Sequence, residues 1–255
     1  MANIVDAFND SLTENMAYVK IAVYAIPVYI IANMFVIGKT DALPFIAPIA
    51  ILLFLALLTQ GINNVRMNKR EILSLNPLQL GKALLKAIIV LAPQILIFGA
   101  IGYNLTTKVT IPIDLPQVPL IYSILVWAIV FSIVLTSYLS FAKYLRIKQG
   151  FNYKVIFEAC IDVLISFLFF IPQLALANVI LVGPVAYVFS VFNPNFINHW
   201  GFVAYYSMAF VVNISILANY LAQASYEQIK GNNEEYDENV QINVIDDAAT
   251  RMNGQ

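Results

Sequence analysis

The chain has 255 residues, of which 60% are hydrophobic and 11% charged, with a formal net charge of −1. About a quarter of an ordinary soluble domain is charged, so this composition excludes an ordinary soluble fold. The near-zero balance also lacks the basic footprint of a nucleic-acid partner. The apolar residues come in long runs, which predicts an all-α, multi-pass integral membrane protein.

At the start, Ile4, Val5, Phe8 and Leu12 recur at about one helical turn, with Asp6, Asn9, Asp10 and Glu14 between them. Residues 1–19 therefore read as a cytoplasmic lead-in, either an amphipathic helix lying on the inner membrane surface or a frayed polar segment. Its acids replace the basic start of a cleavable signal, so the first apolar run is expected to stay as a membrane helix. A bilayer core of about 30 Å needs roughly 20 apolar residues per helix, and six runs qualify. They lie near 20–37, 43–60, 83–102, 118–141, 155–180 and 202–224, within a transmembrane domain of residues 20–225.

The loop between the second and third runs holds Arg66, Lys69, Arg70 and Lys82, and that between the fourth and fifth holds Lys143, Arg146, Lys148 and Lys154. Both are expected to be cytoplasmic, since basic residues collect on that side. An even number of spans then puts both termini in the cytoplasm.

Between the fifth and sixth runs, Gly183-Pro184 is expected to break a helix, because proline lacks the N–H and clashes one turn back. Val185 to Phe192 then reads as a re-entrant or interfacial piece, with a continuous helix bent at Pro184 as the alternative. Asn193-Pro194-Asn195 is turn chemistry, and Trp200, Tyr205 and Tyr206 are interface anchors. Residues 226–255 carry Glu227, Glu234, Glu235, Asp237, Glu238, Asp246 and Asp247 and few large apolar side chains. They read as a disordered acidic cytoplasmic tail.

An internal repeat is also legible. Residues 137–148 align without gaps on 219–230, sharing Tyr138 with Tyr220, Leu139 with Leu221, Ala142 with Ala224, Tyr144 with Tyr226, Ile147 with Ile229 and Lys148 with Lys230. Pro93-Gln94 and Pro172-Gln173 recur in the third and fifth runs, and Pro27 takes a comparable place in the first. The pattern predicts three helical hairpins on one plan, as parallel repeats. The six-span layout, the Phe151-Asn152-Tyr153-Lys154 lead into the fifth run and the amphipathic start resemble an uncharacterised family of bacterial and archaeal membrane proteins, a domain of unknown function. The likeness covers most of residues 3–225. It implies a prokaryotic inner-membrane protein and supplies no activity, substrate or site residue.

Ionisable groups inside spans are costly and are functional candidates by default. Lys86, Glu158 and Asp162 qualify, and Gln94 and Gln173 join them as polar groups beside prolines. Glu158 and Asp162, four apart, share a helical face, and Lys86 is the basic group placed to neutralise Asp162. No catalytic, cofactor or metal signature accompanies them. Cys160 is the sole cysteine and His199 the sole histidine, so neither builds a metal cluster by itself. Asn104-Leu105-Thr106 matches a glycosylation acceptor, which has no use in a prokaryote. Two readings follow: a structural, accessory or regulatory membrane subunit, partnered by another membrane protein or by copies of itself, or a small transporter or channel with an Asp162-centred cavity. A lipid-modifying enzyme would need paired histidines or carboxylates at one interface.

Overall fold

The computed structural model describes residues 4–14, 16–67, 69, 71–108 and 117–229. They form seven α-helices: α1 (Ile4–Thr13), α2 (Ala17–Ile37), α3 (Leu43–Arg66), α4 (Pro77–Lys108), α5 (Gln117–Ala142), α6 (Tyr153–Phe192) and α7 (Trp200–Gln228), with 3-10 turns at Ile147–Phe151 and Phe196–Asn198. Among the described residues there is no strand. Helices α2 to α7 are each long and apolar enough to cross a membrane, so all six expected spans are helices. The outer surface is apolar as well, with Ile49, Leu96, Leu120, Phe169 and Ile180 exposed. Hydrocarbon is the solvent that such a surface suits.

Local chemistry sets the helix ends. Asn76 caps α4, its Oδ1 accepting the N–H groups of Leu78 and Gln79 at 3.0 and 3.3 Å, and Pro77 follows at the position where its missing N–H costs nothing. Gly38 closes α2 in the left-handed region at φ 74°, its N–H turned back to Met34 and Phe35. The His199 imidazole Nδ1 accepts the Gly201 N–H and caps α7.

Gly183-Pro184 does not break its helix. α6 runs unbroken for 40 residues through both Pro172 and Pro184, about 60 Å, twice the thickness of a hydrocarbon core. Neighbouring side chains satisfy the backbone around such prolines, and here the Tyr205 hydroxyl of α7 donates to the Leu181 carbonyl one turn ahead of Pro184. The partners of α6 change along its length. Near its start Phe157 meets Phe98 of α4 and the Cys160 carbonyl accepts from Ser132 of α5. Farther along it meets α7, through Ser166 to Tyr220 and through reciprocal amide bonds of 3.1 and 2.7 Å between Asn178 and Asn213. It thus crosses from the α4–α5 side of the bundle to α7.

Helix α7 is the hub, packing against α1, α2, α3, α5 and α6, and residues 211–225 have no exposed side chain. Where α3 crosses it, a Cβ on Gly61 would stand 2.9 Å from Ala218 Cβ, the small-residue approach by which membrane helices gain packing. α1 packs on α7 as well, with Phe8 and Leu12 against the core formed by Ile21, Leu57, Phe170 and Ile216. Its apolar face meets the bundle, and the acyl boundary expected from the sequence is not its only partner. The aligned Tyr138 and Tyr220 are both buried, whereas Gln94 is buried and Gln173 exposed.

Candidate functional site

The five polar residues singled out in the spans do not converge. Lys86 Nζ donates to the Leu145 carbonyl at 3.1 Å, where the chain leaves α5 with Leu145 at φ 52°. Gln94 is fully buried and donates to the Gly150 carbonyl at 3.1 Å and toward the Tyr153 hydroxyl at 3.4 Å. Glu158, Asp162 and Gln173 lie exposed on α6. Phe157 turns toward α4, and successive helical residues point about 100° apart, so Glu158 and Asp162 turn away from Lys86. The Lys86–Asp162 pair is not formed, and among the described residues neither carboxylate has a basic partner.

Buried polar groups gather instead at the end of the bundle that carries the basic loops. Glu14, between α1 and α2, accepts the N–H groups of Ile72 and Leu73, the latter at 3.1 Å. Lys20, 6% exposed in its side chain, stands 3.3 Å from Glu14 and 3.1 Å from Glu71. The Tyr24 hydroxyl donates to the Ser74 carbonyl. Together they hold the α3–α4 loop against the start of α2. Burial pushes the Glu14 carboxyl above its ordinary range, opposed by the two backbone donors and Lys20. Around this clamp, Asn219 donates to Asp10 and accepts from Gln223, Asn63 donates to the Lys143 carbonyl, and Thr59 meets the Tyr138 hydroxyl at 2.8 Å.

A second polar node fixes the 3-10 turn between α5 and α6. The Gly150 carbonyl accepts from Ser137 Oγ at 2.6 Å and from Gln94, while Gln94 Oε1 has no partner among the described residues. In the loop that the sequence shows only as basic, Lys148 is exposed and Gly150 buried, and the turn packs against α4 and α5.

At the opposite end a groove of about 450 Å³ runs beside Tyr29, Asn33, Met34, Ile37, Lys39 and Asp41. None of the five expected residues lines it. Among the described residues no three His, Cys, Asp or Glu side chains come together as metal ligands would. These features define a six-helix membrane bundle whose polar groups are mostly spent on holding helix ends and loops together. No protein-family model, curated protein or solved structure matches the chain.

Proposed function

We propose that the protein is a structural or accessory subunit of a cell-membrane assembly, with its basic end and both termini in the cytoplasm. The observation that carries this reading is the outward direction of Glu158, Asp162 and Gln173 on α6. Carboxylates in a span need a partner, protonation or water, and these lie on the outer surface of the bundle, where a transporter would turn them to an internal path. The buried amides and hydroxyls support the same reading, because they bond helix to helix.

Two measurements test it. In proteoliposomes, proton and monovalent-cation flux should equal that of empty vesicles; a flux that Asp162→Asn abolishes would replace this reading with a carrier. In cells, cysteines placed at Thr107 and Asn195 should react with an impermeant thiol reagent from outside, and one at Asn68 should not. Protection of the first two sinks the proposed orientation.

A further inference from the structure

The groove at the end away from the basic loops holds polar groups that the bundle does not use. Asn63, Gln94, Asn178 and Asn213 are each spent on another helix or loop. Asn33 differs. It lines the groove half-buried on α2, four residues inside the helix end at Ile37, and its amide has no hydrogen bond among the described residues. A polar group withdrawn from water in this way is costly until something bonds it. Lys39 and Asp41 line the same groove from the turn that follows α2; both are exposed, and neither is in an ion pair among the described residues.

The order of these groups along α2 matches the layers of a phospholipid. At 1.5 Å of rise per residue, Asn33 lies about 6 Å inside Ile37, and the headgroup layer on each side of a bilayer is about 5–8 Å thick. The cation and the carboxylate therefore stand at headgroup level, the amide at the level of the ester linkages beneath, and Ile30 and Met34 line the groove on its apolar side. Charge complementarity selects the headgroup. A phosphodiester answers Lys39, and a primary ammonium, which has three N–H donors, answers Asp41. A quaternary ammonium has no N–H to give that carboxylate, and a headgroup without a cation would set its phosphate beside Asp41 with nothing to offset the repulsion.

We propose that this groove binds one phospholipid with a zwitterionic, primary-amine headgroup, of the phosphatidylethanolamine class. Its phosphate sits on Lys39, its ammonium on Asp41, and an ester carbonyl accepts from the Asn33 amide. The volume of about 450 Å³ falls in the range of small-molecule sites and takes the headgroup and glycerol, leaving the acyl tails along the apolar outer surface. The site is separate from the outward carboxylates of α6 and does not depend on what they meet.

The test uses the full chain in non-ionic detergent and a phosphatidylethanolamine that carries a photoreactive diazirine on an acyl carbon near the ester. After irradiation the label is mapped by peptide mass spectrometry and should fall between Ile30 and Ile37. Unlabelled phosphatidylethanolamine should displace it at about tenfold lower concentration than phosphatidylcholine or phosphatidylglycerol, the effect of one hydrogen bond to a charged group. Asp41→Asn should erase that preference while labelling persists. Asn33→Leu should lower labelling about fivefold whatever the headgroup. Displacement by all three lipids at equal concentration would make the occupant ordinary boundary lipid and overturn the proposal, as would a preference that survives Asp41→Asn. Absence of label from this stretch overturns it as well, and disulfide cross-linking of Ile37→Cys chains would then identify a second copy as what covers the groove.

Discussion

Gly150→Ala is expected to lower the stability of the purified protein by about 3 kcal/mol, near the upper end for overpacking a closed site. The added Cβ would stand 2.5 Å from Val90 Cγ1 and 3.1 Å from Phe141 Cβ. Val90 cannot swing aside, since a β-branched side chain in a helix has one strongly preferred rotamer, and Phe141 Cβ is fixed to its backbone. The 3-10 turn must therefore move out from between α4 and α5. Its carbonyl would then lose Ser137 and Gln94, leaving the buried Gln94 amide only its 3.4 Å contact with the Tyr153 hydroxyl, a further penalty of the kind that attends a poorly paired buried polar group. Thermal unfolding in detergent measures the effect. Val90→Ala in the same chain opens space for the new methyl and should restore part of the loss. A neutral Gly150→Ala would mean that the turn is not packed as described.

How much of this was legible in the sequence depends on the kind of signal involved. The six spans were readable because each is a continuous apolar run, and burial of backbone polar groups in hydrocarbon leaves few options besides a helix. At Gly183-Pro184 the expected break does not occur and the alternative, a continuous helix, does, because proline's cost is smaller where neighbouring helices supply partners. In a bundle, a hydroxyl one element away, here that of Tyr205, can serve the weakened turn, and no local pattern around residue 184 announces it. α1 was legible as an amphipathic helix from Phe8 and Leu12, but not its docking, because an apolar stripe fits a helix groove as well as an acyl boundary.

The candidate site shows the same limit more sharply. Glu158 and Asp162 were found by a rule about charges in spans, and the rule says nothing about which side of α6 they face. Glu14 reads in the sequence only as a polar position of the lead-in, and Lys20 carries no signal, because both sit at a span's edge, where charges are ordinary. Their partners Glu71, Ile72 and Leu73 lie more than fifty residues along the chain. The pairing of Pro-Gln dipeptides suggested equivalent roles for Gln94 and Gln173, yet one is buried on Gly150 and the other faces outward, since helix rotation about each proline is set by the neighbours it packs on. Gly150 carried no signal beyond being a glycine in a basic loop.

Lys20→Met should prove as costly as Gly150→Ala, by about 3 kcal/mol near neutral pH, the low end for removing one partner of a buried ion pair. Among the described residues Lys20 is the cation that pairs with both Glu14 and Glu71, and without it the Glu14 carboxylate, 2% exposed in its side chain, keeps among them the Ile72 and Leu73 N–H groups alone. The loss should depend on pH with a definite sign. Burial already raises the Glu14 carboxyl above its ordinary range, so the folded state holds this proton more tightly than the unfolded chain. The stabilising contribution of the neutral acid is complete below the ordinary carboxylate range and is lost as pH rises through the raised value. Removing Lys20 takes away an interaction that favours the charged form and pushes the carboxyl higher still. The Lys20→Met deficit should therefore shrink as pH is lowered from neutral toward 5, measured as the difference in thermal midpoint from the unmodified protein. Adding Glu14→Gln should recover most of the loss at neutral pH, because the amide oxygen still accepts from the Ile72 and Leu73 loop without a charge to bury. A deficit that is flat with pH, or that persists in the double variant, would assign the role of Lys20 to its aliphatic stem packed beneath α1 and not to its charge.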